Sequence, residues 1–89
     1  MLTPQIVLKL TQLFVCDTSS RFNLMFQAEL PSQFIYNINL EGSPQQASMA
    51  VQNAFRRYSD SKLEEKLIAY VETQPIPGFI QEYLDKGNR

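Results

Sequence analysis

The sequence predicts an all-α domain: a compact antiparallel six-helix bundle, its third helix short or irregular, with residues 1–89 forming one unit. Three observations carry this. In five segments apolar residues return every three or four positions, the spacing of one helix face. Several of those segments open on a capping residue followed by proline, or on a capping-box pair. Short polar or turn-forming stretches separate them, and short connections make successive helices antiparallel neighbours.

Thr3-Pro4 pairs a capping hydroxyl with a proline at the first helical position, where its missing N–H costs nothing. Ile6, Val7, Leu10, Leu13 and Phe14 then form the apolar face of a first helix, about 4–15. Asp17-Thr18-Ser19-Ser20 is a turn cluster that also offers N-caps. The second helix, about 19–29, places Phe22, Met25, Phe26 and Leu30 inward, and Pro31 disfavours helical geometry at the residue before it.

The stretch 32–42 is mixed. Phe34, Ile35, Ile38 and Leu40 give it the local propensity of a strand over 34–40. A lone strand without a pairing partner is not viable, and the rest of the chain offers none. The preferred reading is a short irregular helix near 32–38 and a turn at Glu41-Gly42.

The fourth helix is the one the others pack around. Ser43 is its expected N-cap, Pro44 fits its first position, and Gln46 closes a reciprocal capping box. Ala47, Val51, Ala54, Phe55 and Tyr58 make its apolar stripe, and small residues at 47, 50 and 54 allow neighbouring helices to approach closely. Ser61 and Glu64 have capping-box spacing for a fifth helix, about 62–73, with Leu63, Leu67, Ile68, Tyr70 and Val71 inward. Pro75-Ile76-Pro77 forms a stiff corner. A sixth helix, about 77–86, carries Phe79, Ile80, Tyr83 and Leu84, with Gly87 as its stop.

Composition narrows the function. Apolar residues at 44% and charged ones at 19% describe an ordinary globular chain of one core. Eight Lys+Arg against nine Asp+Glu leave a net charge of −1, too balanced for general nucleic-acid affinity, which needs clustered phosphate contacts. Cys16 is the single cysteine, so no internal disulfide forms, and a reducing, cytoplasmic setting is expected. No basic leader and no long apolar run point to a signal peptide or membrane span. Histidine is absent, which removes the commonest general base and imidazole ligand. No metal or cofactor is expected.

The candidates for chemistry are few. Cys16 lacks a histidine to raise its thiolate fraction and reads as structural. Glu64-Glu65 and Glu82 with Asp85 are carboxylate pairs in sequence, but Glu64 serves as a cap and the others read as solvated helix faces. Glycines at 42, 78 and 87 are too scattered for a phosphate-binding loop. No catalytic residue is assigned, and the chain is not expected to be an enzyme.

Arg56-Arg57 is the one compact basic spot. Two readings stand: a solvated flank that suits the negative end of the helix dipole, or a bidentate contact to an acidic partner, with Arg21 on the same surface. Glu64, Glu65, Glu72, Glu82 and Asp85 load the last two helices with acid, only partly offset by Lys62, Lys66 and Lys86. A body with opposite signs on different faces can associate head-to-tail. Tyr36 and Tyr70 are the aromatic residues expected nearest the surface.

The order of segments resembles the death-like interaction domains, in particular the bacterial effector-associated and death-like domains. The resemblance runs through Leu10-Thr11-Gln12-Leu13-Phe14, Arg21-Phe22 to Phe26, the irregular Phe34–Ile38 element, Val51-x-x-Ala54-Phe55, Leu63 to Val71, and a proline-marked closing helix with Phe79 and Leu84. It implies a six-helix bundle without catalytic residues. The implied role is an adaptor that binds another small helical domain, of its own kind or on a sensor or effector protein, in prokaryotic immunity or signalling. The alternative is a small helix-turn-helix DNA-binding regulator. Its recognition helix would have to be basic, yet 62–73 carries three glutamates against two lysines.

Overall fold

The computed structural model describes residues 2–58 and 60–75. Within them the chain forms five helices: α1 (Pro4–Leu13), α2 (Thr18–Gln27), α3 (Ser32–Tyr36), α4 (Pro44–Tyr58) and α5 (Ser61–Thr73). No strand occurs among the described residues. The expected sixth helix, with Phe79, Ile80, Tyr83, Leu84 and Gly87, lies outside them. α1 packs against both α4 and α5, and α2 against α3.

Each helix start follows from its capping chemistry. The Thr3 hydroxyl accepts the Ile6 N–H at 3.3 Å ahead of Pro4. At α4 the box is complete: Ser43 Oγ accepts from Gln46 N at 3.1 Å, and Gln46 Oε1 accepts from Ser43 N at 2.8 Å. Gly42, at φ +87°, leaves the room this needs, because a Cβ there would run into Gln46 Oε1. The cap of α5 differs from expectation. Asp60 performs it, accepting from Lys62 N at 3.0 Å and Leu63 N at 3.4 Å, and Ser61 is already helical. A carboxylate is the stronger acceptor for helix N–H groups, so it takes the position ahead of the neighbouring hydroxyl.

α2 begins a residue earlier than its expected start and stops at Gln27, before Pro31 is reached. Its stop is local: Glu29 adopts φ +64°, an uncommon conformation outside glycine that turns the chain away. α3 is helical for five residues and not a strand. Beyond it Ile38 and Leu40 are still buried, carried inward by an irregular loop in which Asn39 Oδ1 accepts from Glu41 N at 3.1 Å.

The core joins every helix. Leu10, Phe14, Met25, Ile35, Leu40, Val51, Leu67 and Val71 are almost fully enclosed, and α4 contributes Ala47, Val51, Ala54 and Phe55. Two aromatic residues expected inward are not. Phe26 lies one residue past Met25, about 100° round the helix, and rests edge-on against Tyr36 with centroids 5.8 Å apart. Tyr58, the last residue of α4, lies over Phe34 at 5.6 Å and stays half-exposed. Ser48 is buried with no hydrogen-bond partner for its hydroxyl, and nothing in the structure explains why a hydroxyl stands there.

Asp17 makes the cap of α2 sensitive to acid. The Ser20 hydroxyl, and then the Ser20 N–H at 2.7 Å, hold its carboxyl below the ordinary value of 3.8. A depressed folded value means the cap stabilises above the ordinary aspartate range and is lost as pH falls through the folded value. Asp17→Asn retains a capping oxygen but not the titration. Urea unfolding from pH 5 down to pH 2.5 should show a shallower loss in the variant than in wild type. Parallel curves would show that Asp17 carries none of the acid lability.

Candidate interaction surface

The last turn of α4 carries Arg56 and Arg57, both exposed. Cations at this end of a helix face unsatisfied carbonyls and the negative end of the dipole, so the placement is locally favourable. Arg56 and Arg57 help line a groove of about 560 Å³, together with Asn37, Ile38 and Asn39 after α3 and Ala50 and Asn53 from α4. Among the described residues its lining combines two arginines with the amides of Asn37, Asn39 and Asn53.

Around Asn37 lies a second groove, of about 440 Å³ and mainly apolar, formed by Pro31, Phe34, Tyr58 and Leu63. Phe34 is buried beneath it, its ring tilted against that of Phe55 with centroids 4.8 Å apart. Asp60 stands at its edge, with its carboxylate engaged in the α5 cap. These grooves are what sequence reasoning missed. The first lies between α4 and the 37–39 loop and the second between α3, the end of α4 and the start of α5, and helical periodicity within single segments does not encode those meetings.

Arg21 is not on this surface, which corrects the expectation from sequence. It is 5% exposed. Its Nε donates to Phe14 O at 2.9 Å, and its Nη1 donates to Leu40 O at 2.6 Å and Gly42 O at 2.8 Å. The Phe14 carbonyl is at the C-cap of α1, where intrahelical donors run out, so a buried cation there is both hydrogen-bonded and aligned with the dipole. The sequence contained a signal for this: Arg21, Met25 and Ala28 share one face, and the other two are core.

The acidic candidates lie on α5. Glu64 is half-buried in the first turn, where a carboxylate suits the dipole, while Glu65 and Glu72 are exposed. The Glu72 carbonyl accepts from Lys9 Nζ at 3.1 Å, tying the end of α5 to α1. Glu82 lies outside the described residues. Tyr36 is 70% exposed. Tyr70 is half-buried, and its hydroxyl donates to Gln27 Oε1.

Cys16 is exposed at the surface, with its thiol directed to Leu13 O at 3.4 Å. Partial burial of the sulfur pushes its pKa up and outweighs the lowering effect of the Arg21 charge and hydrogen bond nearby, which favours the thiol over the thiolate. Among the described residues no group of three or more Cys, Asp or Glu side chains is placed to hold a metal ion, and no helix is long and apolar enough to cross a membrane. Comparison with protein families, with curated proteins and with solved structures gives no match to this chain in any of the three.

Proposed function

We propose that this chain is a non-catalytic interaction domain of the death-like kind. It binds another small helical domain, a second copy or one on a sensor or effector protein, through the basic end of α4 and the acidic face of α5. The single observation that supports this most is the exposed arginine pair Arg56 and Arg57 at the end of α4, on a body whose next helix exposes Glu65 and Glu72. Opposite signs on different elements favour head-to-tail contacts, which build open assemblies or rings more readily than closed two-fold pairs. A role in prokaryotic immunity or signalling follows from the resemblance of the sequence to adaptor domains of that setting.

Each contact of this type is weak. Exposed ion pairs contribute about 0–1 kcal/mol and are screened by salt, so assembly depends on several acting together. The variant Arg56→Glu with Arg57→Glu should therefore lower self-association or partner capture. Sedimentation velocity at low and moderate salt reads this, after a thermal melt confirms that the fold survives. Reversal of Glu65 to Arg in the same background should restore part of the loss. Association of the double variant equal to wild type would reduce the two arginines to a solvated helix flank. A salt-sensitive mobility shift with duplex DNA, in place of self-association, would favour the DNA-binding alternative.

A further inference from the structure

We infer that the aromatic face of α2 and α3 is a two-fold contact between copies of this chain, with Phe22, Phe26 and Tyr36 at its centre. It stands on other residues than the charged contact proposed above and does not depend on it.

The three rings form one patch. Phe22 and Phe26 are one turn apart on α2, and Tyr36 sits against both, with centroids 6.3 Å and 5.8 Å away. Tyr36 is 70% exposed and Phe26 38%, while Phe22 is half-buried. Rings grouped on an exposed face leave apolar surface in water that an interface would remove.

The polar groups of the same two helices select the occupant. Arg21 is the one charged residue in α2 and α3, and it is turned into the interior. Every polar side chain these helices expose belongs to a Ser, Asn, Gln or Tyr. Asp17 and Glu29 stand outside the two ends of α2. In a two-fold contact the same patch lies on both sides, so a face carrying one sign of charge would repel itself. Hydroxyls and amides both donate and accept, so they pair with their own kind, and rings pack on rings. Two whole copies also approach with little mutual repulsion, since each carries a net charge of −1. A membrane surface fits less well, because neither helix exposes a Lys or Arg to hold its headgroups.

Sedimentation equilibrium of the full chain tests this at low and high salt. The wild type should form a dimer that does not grow further through this face and that high salt does not weaken, since no ion pair holds it. Tyr36→Glu and Tyr36→Lys change one exposed side chain and leave the buried core intact, which a thermal melt checks. Each variant alone should dimerise at least tenfold more weakly, because like charges then face each other across the axis. An equal mixture of the two should recover the dimer. Only a contact in which this face meets its own copy gives that recovery.

The outcomes separate this inference from the charged assembly. A dimer lost in Tyr36→Glu but untouched by reversal of Arg56 and Arg57 keeps the aromatic contact and overturns the charged one. Association lost on the arginine reversal but untouched by both Tyr36 variants overturns the aromatic contact and keeps the charged one. A wild type that stays monomeric, a mixture no tighter than its components, or binding of this face to neutral lipid vesicles in place of a dimer also overturns the inference.

Discussion

Arg21→Ala is expected to cost about 3 kcal/mol or more of folding free energy, because the buried guanidinium makes hydrogen bonds to three backbone carbonyls. Three carbonyl groups lose the guanidinium at once: those of Leu40 and Gly42 in the α3–α4 connection, and that of Phe14 at the C-cap of α1, which keeps the Cys16 N–H at 2.8 Å. An isolated charge–carbonyl bond contributes about 1.5–3 kcal/mol, and an acceptor left dry costs a further share, but the three are not additive because water reaches the partly buried Gly42 end. A domain of this size holds about 5–10 kcal/mol in total, so the variant is expected near its unfolding midpoint under mild conditions. Arg21→Met keeps the aliphatic stem and removes only the polar part, so the difference between the two variants isolates packing from hydrogen bonding. Arg21→Lys recovers a fraction, since one ammonium cannot reproduce a fork whose Nε and Nη1 point at different loops. Urea unfolding reads all three. A loss below about 1 kcal/mol in Arg21→Ala would mean that the carbonyls find water without rearrangement.

Phe55→Ala is the second large expected effect, again about 3–5 kcal/mol from lost transfer energy and the cavity left behind. Phe55 is 3% exposed and faces the Phe34 ring, which in turn carries Tyr58. Removing the innermost of these three rings takes away the support of the Phe34 ring in the apolar groove as well as core volume. The apolar groove over Phe34 should therefore loosen even where the global fold persists, and the assigned ring resonances of Tyr58 should move toward those of an exposed phenol. Phe55→Leu preserves most of the volume and should cost much less. A stability change below about 1 kcal/mol in Phe55→Ala would place this ring at the periphery and overturn the assigned helix phase.

What could be read from sequence was mostly what is decided within a few residues. Thr3 and the Ser43–Gln46 box are local hydrogen bonds between residues three apart, and both stand as expected. The helical rather than extended state of 32–36 followed from the lack of a pairing strand. Arg21 was misplaced because a charged residue on an apolar stripe reads as its polar edge; the acceptors that make its burial tolerable come from residues 14, 40 and 42, which only the folded chain brings together. Phe26 and Tyr58 were assigned inward from spacing alone, yet each lies at the flank or end of its helix, where coverage depends on the neighbouring element. The arginine pair was visible as charge, but its groove needed the return of the 37–39 loop.

Residues 37–39 form one wall of that groove, and the chain just behind them is held by the interior guanidinium through the Leu40 and Gly42 carbonyls. A ligand arriving there meets a wall that is already braced, so little ordering entropy is spent in making the contact. Binding should accordingly approach the rates of pre-organised surfaces, with differences between ligands appearing in dissociation. The same brace has a kinetic counterpart: loosening Arg21 would slow capture at the groove without touching a single residue that lines it.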